Sequence, residues 1–181
     1  MHFVVQLNVA QLPEPARVRL GDGLVQLFLC DRPCQTEGGW APFALTTCVR
    51  RISPIGEGAL SEGPGFPPAH VVMWTGRDEY PSYEDLRRTL PSRDPSLPHD
   101  VSDRLRDLGL SPCAGEKLLG WPAWIQAREE APCRRCQRPM EPVLQIDSNR
   151  TLPIQLGDDL GIGWLVRCDP CDEMSFIWQC C

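Results

Sequence analysis

The chain has 181 residues, of which 42% are hydrophobic and 23% are charged, so it can bury an apolar core and is not of the disordered class. Its formal net charge of −6 argues against a general nucleic-acid binder, because phosphate groups require a basic surface. The acidic balance fits a basic protein partner better.

The ten cysteines and the first residues of the chain predict its compartment. Residues 1–9 lack a charged region followed by an apolar region of adequate length, so they do not resemble a secretory signal peptide. No apolar stretch approaches the length that spans a bilayer. We therefore expect a soluble, cytoplasmic protein that binds no membrane and whose thiols stay reduced or bind a metal.

Residues 1–75 are predicted to form a β-rich unit. Apolar runs rich in β-branched and aromatic residues indicate strands at Phe3–Ala10, Leu24–Cys30, Pro42–Ile52 and Ala69–Trp74. The stretch Leu12–Pro15 ends the first strand, and the glycines at 21 and 23 turn the chain into the second. Residues 56–68 are rich in glycine and proline, which indicates a loop.

Residues 76–110 are predicted to be a helical insertion and linker. Ser82 can cap a helix that ends before Pro91, because acidic residues occupy its first turn and arginines its last. A second helix is expected over Val101–Leu108, with a glycine as its stop. Each helix carries leucines at helical spacing, which predicts a packed face.

Residues 111–181 carry the strongest chemical signal, which is two C-x-x-C pairs. Two such turns can supply the four sulfurs of a closed, tetrahedral Zn²⁺ site. The alternatives are a disulfide pair, a redox-active C-x-x-C motif, or coincidence. We predict a structural zinc ion bound by Cys133, Cys136, Cys168 and Cys171.

Three apolar runs near these pairs predict the strands of a zinc-knuckle hairpin. They are Pro142–Asp147, Gly161–Arg167 and Met174–Gln179. The first two runs lie between the cysteine pairs, so pairing of these strands would bring the two knuckles together.

The stretch Lys117–Gln126 is the most distinctive one outside the cysteines, because it holds two tryptophans around a proline. Such a segment is either an anchor packed in the core, which we expect at least for Trp121, or an aromatic rim that binds a partner. The candidate partner-binding residues are Trp121, Pro122, Trp124 and Gln126.

The two ends of the chain match each other in order, which predicts an internal duplication. The matched stretches are Val4–Asn8 with Val143–Asp147, Leu20–Asp22 with Leu156–Asp158, Val25–Cys30 with Gly163–Cys168, and Asp31–Cys34 with Asp169–Cys171. The predicted fold is therefore α+β, mainly β. It has two related sheet-bearing halves, a small helical insertion and a zinc-knuckle hairpin.

The alignment places Met1 opposite Met140, just after the point where the first copy would carry its own C-x-x-C pair. Cys30 and Cys34 are therefore a candidate second metal site that lacks two expected partners. We expect that they do not hold a second zinc ion alone. Two explanations stay open, which are decay of that site or a reading frame that extends upstream of Met1 with a further C-x-x-C.

These motifs, in this order, resemble the bacterial YwqG-like family of unknown function. The motifs are Leu119–Gln126, the Cys133 to Met140 knuckle, Leu144–Asp147, Gly157–Asp158 and Phe176–Cys180. Programmed cell death protein 2 and its ribosome-biogenesis relatives are similar in the Pro-Ala-Trp segment, the C-x-x-C and the Leu-Gln strand. The resemblance implies binding of one protein, as a chaperone of a basic ribosomal protein or as an immunity-type factor against a toxin.

Other classes of function have weaker support in the sequence. A catalytic zinc keeps an open position, whereas four cysteines close the site. Isolated histidines and single thiols need a partner that the sequence does not place, and these are His2, His70, His99, Cys48 and Cys113. We predict a non-catalytic, zinc-stabilised module that binds a specific protein. An RNA-binding or RNA-processing factor and a cysteine- or zinc-dependent hydrolase are the alternatives.

Overall fold

The computed structural model describes residues 1–30, 38–53, 70–89, 100–148, 154, 156 and 160–180. The strands in these ranges are β1 (His2–Asn8), β2 (Leu24–Leu29), β3 (Thr47–Ile52), β4 (Lys117–Leu118), β5 (Glu141–Asp147), β6 (Gly161–Cys168) and β7 (Glu173–Cys180). The helices are α1 (Glu14–Leu20), α2 (Tyr83–Thr89), α3 (Asp100–Asp107) and a short 3-10 helix, Val9–Gln11. The fold is mainly β, as predicted.

The first sheet is antiparallel and has the strand order β1-β2-β3. In β2, Val25, Leu27 and Leu29 are buried, whereas Gln26 and Phe28 are only partly buried. Successive side chains of a strand point to opposite faces, so this alternation places one face of the sheet in a core.

The second sheet is also antiparallel and has the strand order β4-β5-β6-β7. Its strand β6 is buried at six successive residues, 161–166. Leu165 belongs to one apolar cluster, and Trp164 and Val166 belong to another. The second sheet is therefore buried on both faces, which requires a continuous apolar run rather than an alternating one.

The larger apolar cluster joins the two sheets. Its buried members include Leu7, Val25 and Leu27 from the first sheet and Ile146, Leu165, Phe176 and Trp178 from the second. The two β-rich parts predicted from the sequence thus bury their inner faces against each other. Neither part builds this core from its own residues alone.

The pairing registers of the two sheets agree with the alignment of the two halves. Gln6 pairs with Gln26 in the first sheet, and the aligned residues Gln145 and Trp164 pair in the second. β3 and β7 occupy the same place beside β2 and β6. Strands β1 and β5 also show a register shift at aligned positions, between Phe3 and Val5 in β1 and between Pro142 and Leu144 in β5.

The proline-rich stretch Leu12–Pro15, predicted only to end the first strand, leads into helix α1. Pro15 lies in the first turn of α1, where the N–H that proline lacks has no partner within the helix. Ala16 and Leu20 are four residues apart, and both are buried in the larger core. Gly21, with φ of 77°, follows the last residue of the helix.

The third strand is shorter than predicted. It begins at Thr47 rather than Pro42, because residues 38–43 turn the chain and Phe43 has a left-handed φ of 61°. The Phe43 N–H donates to the Ser175 hydroxyl at 2.7 Å, so this turn contacts β7.

The strand predicted over Ala69–Trp74 is wrong for its described residues, 70–74, which join neither sheet. Trp74 packs against the larger core. Val71 and Val72 are both exposed, so this stretch does not alternate between core and solvent as a strand on a core would.

Both predicted helices of residues 76–110 are present as α2 and α3. The hydroxyl of Ser82 accepts a hydrogen bond from the N–H of Asp85 at 3.2 Å, as an N-cap residue does. Gly109, with φ of 67°, follows α3 closely. In the ranges that the structure describes, no helix is long and apolar enough to cross a membrane.

Candidate metal centre and its covering segment

Four cysteines converge at one end of the second sheet. Cys133 and Cys136 lie in the turn before β5, Cys168 is the last residue of β6, and Cys171 lies between β6 and β7. One sulfur from each lies within 4.8 Å of all the others. Cys133 and Cys168 are buried, so the cluster is part of the core and not a surface feature.

The two cysteine turns share a backbone feature. In each turn the residue after the second cysteine is left-handed, with φ of 60° at Gln137 and 53° at Asp172. The Cys133 N–H donates to the carbonyl oxygen of Arg138, and the Gln137 N–H donates to that of Cys133, both at 2.8 Å. These two bonds close the first turn and place its thiols beside the second pair.

The spacing of the four sulfurs fits a tetrahedral metal ion. Zn–S bonds of about 2.3 Å place sulfurs about 3.8 Å apart in this geometry. The sulfurs of Cys136 and Cys168 are 3.5 Å apart. This separation exceeds the S–S bond of about 2.05 Å, and all four cysteines are free thiols. The donor set can therefore hold a metal ion, and the alternative of a disulfide does not apply to these residues.

The electrostatics of the cluster also favour a cation. Burial disfavours the Cys133 thiolate, but N–H groups of Cys136 and Arg135 stabilise it and lower the pKa of Cys133 to about 7. A hydrogen bond with Cys136, together with burial, raises the pKa of Cys171 to about 12, and burial raises the pKa of Cys168. The sulfurs thus resist joint ionisation, and a divalent cation at their centre would remove that resistance.

Ion pairs link the turn between β6 and β7 to the first sheet and to α1. Asp172 contacts Arg51 of β3 and Arg167 of β6, each at 3.0 Å. Asp169 contacts Arg167 at 2.6 Å and Arg19 of α1 at 3.5 Å. Both aspartates are more than half exposed at 53%, so each pair contributes little by itself. Together they connect the candidate metal centre to the other half of the protein.

The candidate second metal site lies only partly within the described residues. Cys30 is half-buried, and its N–H donates to the carbonyl oxygen of Thr46 at 2.8 Å. Cys34 lies outside the described residues. In the part of the chain that the structure describes, the one cluster of metal-ligating groups is the four-cysteine cluster, so Cys30 joins no second cluster there.

A segment that precedes the cysteine turns runs along the edge of the second sheet as β4 and then crosses its outer face, and we call residues 113–128 the covering segment. Its main chain is held by a buried glutamine of β5. The Gln145 carbonyl oxygen accepts from the N–H of Ala123 at 2.9 Å. The Gln145 amide donates to the carbonyl oxygens of Cys113 at 3.2 Å and Gly115 at 2.9 Å.

A second glutamine, Gln179 of β7, holds the other end of the covering segment. Its carbonyl oxygen accepts from the N–H groups of Ile125 and Gln126, both at 3.2 Å. Its amide donates to the carbonyl oxygen of Ala127 at 2.9 Å. The two glutamine side chains thus bind only main-chain groups of the covering segment in these hydrogen bonds.

The predicted partner-binding residues all belong to this covering segment. Trp124 packs against Trp164 of β6 with ring centroids 4.6 Å apart, and Pro122 is buried. Gln126 is exposed, and its amide donates to the carbonyl oxygen of Cys180 at 2.7 Å. Trp121 is half-buried and borders a cavity of about 210 Å³. The prediction that Trp121 packs in the core is wrong, because Trp124 rather than Trp121 packs against an apolar cluster of the described residues. A partner-binding role for these four residues stays a prediction.

A buried carboxylate, Glu79, holds the start of the covering segment. It accepts hydrogen bonds from the N–H of Cys113 at 3.0 Å and from its thiol at 2.7 Å. The Lys117 ammonium group contacts both carboxylate oxygens at 3.0 Å. Burial alone would raise the pKa of Glu79, but these hydrogen bonds and the Lys117 charge lower it below its ordinary value of 4.5.

Asp85 of α2, which is fully buried, holds the other end. It pairs with Arg128 and accepts a hydrogen bond from the Trp124 indole N–H at 3.3 Å. A buried carboxylate requires such partners, because an unpaired buried charge is strongly destabilising. The helical insertion is therefore a clamp on the covering segment.

Neither Glu79 nor Asp85 was a candidate from the sequence. An acidic residue in the first turn of a helix is usually a surface feature, so Asp85 was assigned only that role. The available signal was the pair of basic residues, Lys117 and Arg128, at the two ends of a largely apolar segment. Two cations that are largely removed from solvent need anions from elsewhere in the chain.

Comparison of the chain with protein-family models, with curated proteins and with solved structures gave no match. The resemblance to the YwqG-like family therefore stays a prediction. Functional inference rests on the geometry of the described residues.

Proposed function

We propose that the protein is a non-catalytic, zinc-stabilised module that binds a specific protein partner. The observation that carries this proposal is the cluster of four cysteine sulfurs, which come from two separate turns of the second sheet. A metal ion there would fasten the turn before β5 to the turn of the β6–β7 hairpin.

The donor chemistry favours zinc as the metal. Four thiolates form a soft, fully sulfur-based set, which is typical of structural Zn²⁺ sites. Such a site leaves no coordination position for water or substrate. The expected role of the metal is therefore to stabilise the fold, and metal binding and folding are expected to be coupled.

We infer that the two sheets arose by internal duplication. The matched register at Gln6 and Gln145, and the register shifts at aligned positions, support this inference because a shared apolar composition alone does not require either feature. The hairpin of β6 and β7 with its cysteine turns is then the zinc-knuckle half of the protein.

The environment of the thiols supports a role without catalysis. Burial and the hydrogen bond to Glu79 raise the pKa of Cys113, which is the opposite of what a nucleophilic thiol needs. The four clustered cysteines have no histidine or carboxylate among them. These facts favour a binding module over a cysteine- or zinc-dependent hydrolase.

The net charge of −6 favours a basic protein as partner, because long-range attraction accelerates encounter between opposite charges. A chaperone of a ribosomal-protein-like client and an immunity factor against a toxin both satisfy this condition, in the cytoplasm. An RNA-binding factor is the weaker candidate, since an acidic chain repels phosphate groups.

Metal analysis of the purified protein tests the metal part of the proposal. We expect about one zinc ion per chain and loss of that ion in Cys133→Ser. Cys48→Ser is the matched control, because Cys48 lies on β3, outside the four-cysteine cluster. Purified protein without zinc, or a Cys133→Ser variant that keeps it, contradicts the assignment.

Purification from the native host with identification of co-eluting proteins tests the partner part. We expect one defined protein whose affinity for the chain falls as ionic strength rises. Sequence-selective RNA binding at physiological salt would contradict the proposal in favour of the RNA-binding alternative. Turnover of a small substrate that depends on one cysteine would favour the hydrolase.

A further inference from the structure

The outer face of the first sheet carries aromatic and amide side chains in neighbouring positions. We call Phe3, Gln6, Gln26, Phe28 and Arg50 the first outer face. Phe3 and Phe28 pack edge to face with ring centroids 5.7 Å apart, and Phe3 is 42% exposed. In the described part of the chain, neither ring belongs to either apolar core.

The polar members of the first outer face form a chain of hydrogen bonds. The Gln26 amide donates to the Gln6 carbonyl oxygen at 2.6 Å, and Arg50 donates to the Gln26 carbonyl oxygen at 2.7 Å. The Arg50 guanidinium also lies 4.8 Å from the centroid of the Phe28 ring. An amide side chain has two donors and two lone pairs, so these bonds leave capacity for a further main-chain contact.

The second sheet shows what lies over the corresponding face. By register, Gln145 stands at the position of Gln6, and Ile177 stands at the position of Arg50. Over these positions runs the covering segment, which the Gln145 side chain binds at the main chain of Ala123. The same glutamine in the first sheet faces outward and is exposed.

The two faces differ in exposure. The covering segment lies over the outer face of the second sheet, and the first cysteine turn separates it from β5 in the chain. The first outer face has an amide pair and an aromatic surface, and its members Phe3, Gln6 and Arg50 are exposed.

We propose that the first outer face binds an extended segment of the partner protein in the way that the second sheet binds its covering segment. Gln6 and Gln26 bind the main chain of that segment, and an aromatic side chain, best a tryptophan, packs on Phe3 and Phe28. The inference rests on the proposed function and names the chemistry of the partner.

Arg50 adds a charge requirement to the partner segment that binds the first outer face. The corresponding position in the second sheet is the apolar Ile177, whose side chain is buried under the covering segment. An exposed guanidinium at this place favours a carboxylate beside the aromatic residue of the bound segment. The partner can be basic overall and still present one acidic residue at the point of contact.

The probe for this proposal is a labelled peptide with the sequence of residues 116–127, added to the full-length, metal-loaded protein. It contains both tryptophans of the covering segment and an acidic residue near its start. Fluorescence anisotropy should show saturable binding. The loss of one amide hydrogen bond in Gln6→Ala or Gln26→Ala should weaken binding about fivefold.

Matched control variants distinguish a specific effect at the first outer face from a general effect of surface substitution. Gln11→Ala and Arg17→Gln change exposed residues outside the first outer face and should leave peptide affinity unchanged. Arg50→Gln should weaken binding. Replacement of the second tryptophan of the peptide, which corresponds to Trp124, by alanine should also weaken it.

Three results would overturn the inference. They are no saturation up to about 1 mM peptide, equal affinity for the wild type and the Gln6→Ala, Gln26→Ala double variant, or self-association of the chain that Arg50→Glu abolishes. The last result would identify a second copy as the occupant. If the double variant still captures the cellular partner, this inference is wrong while the proposed function stands. If the wild type captures no partner, the proposed function fails, whereas the peptide titration still decides the chemistry of the face.

Discussion

The two sheets share strand order and register, yet they differ in how much of their surface is buried. Gln145 is 2% exposed and Trp164 is fully buried, whereas the aligned Gln6 is exposed and Gln26 is half-buried. The covering segment makes this difference. Aligned positions of two sheets with the same strand order thus differ in burial, because the covering segment forms a second layer on one sheet only.

The side chains have adapted to the two environments. The second sheet places the large apolar Trp164 and Ile177 under its cover, where burial stabilises them. The first sheet has Gln26 and Arg50 at the same positions, where they reach water or a partner. The second sheet thus has a buried outer face and the first sheet an exposed one, and four predictions test this difference.

The largest effect is expected from the metal site. Chelation of the metal, or Cys168→Ser, should lower the free energy of unfolding by about 5 kcal/mol or more, because structural zinc supplies a large share of folding energy in small domains. Cys48→Ser should change it by less than about 1 kcal/mol. Thermal and denaturant unfolding measure both, and an unchanged transition after chelation contradicts the prediction.

The second-largest loss of stability is expected when the contact between the helical insertion and the covering segment is broken. Asp85→Asn removes the charge that the part-buried Arg128 needs, so it should lower the free energy of unfolding by about 3–5 kcal/mol. Asp103→Asn is the matched control, because Asp103 pairs with Arg106 in an exposed i,i+3 contact. This control should cost less than about 0.5 kcal/mol. Equal effects of the two substitutions in urea unfolding would contradict the clamp.

The aligned glutamines give the most direct test of the comparison. Gln145→Ala should cost about 2–4 kcal/mol, because it leaves buried main-chain groups of the covering segment without partners. Gln6→Ala should cost less than about 0.5 kcal/mol. Hydrogen exchange of the amides in residues 113–127 should accelerate only in Gln145→Ala. Similar exchange in both variants would show that the glutamine does not hold the covering segment.

The smallest effect concerns pH. Because the pKa of Glu79 is lowered in the folded protein, its ionised form adds stability that is fully present above its ordinary value of 4.5. That stability is lost as pH falls through the lower folded pKa. Glu79→Gln should therefore cost about 1–2 kcal/mol at pH 7, and the difference from the wild type should shrink below about pH 4.5. A difference that stays constant from pH 7 to pH 3 would contradict this prediction.

Much of the second sheet could be predicted from the sequence alone. The apolar runs of β5, β6 and β7 have the length and composition of strands, and the cysteine spacing brings four sulfurs to one end of a hairpin. The strand predicted at residues 69–74 failed because β-branched composition shows only that a strand can form, and no neighbour pairs with residues 70–74.

The sequence by itself determined the strands β1, β2, β5, β6 and β7, the two helices of the insertion and the cysteine set, because each depends on spacing within a short stretch. Tertiary structure alone decided that the two sheets share one core and that Glu79 and Asp85 are buried under the covering segment. It also explains why residue 163 is a glycine, because an added Cβ there would lie 2.1 Å from the Phe176 ring. These features depend on contacts between residues far apart in the chain. No local sequence pattern predicts the burial of a charge or the close approach of a ring.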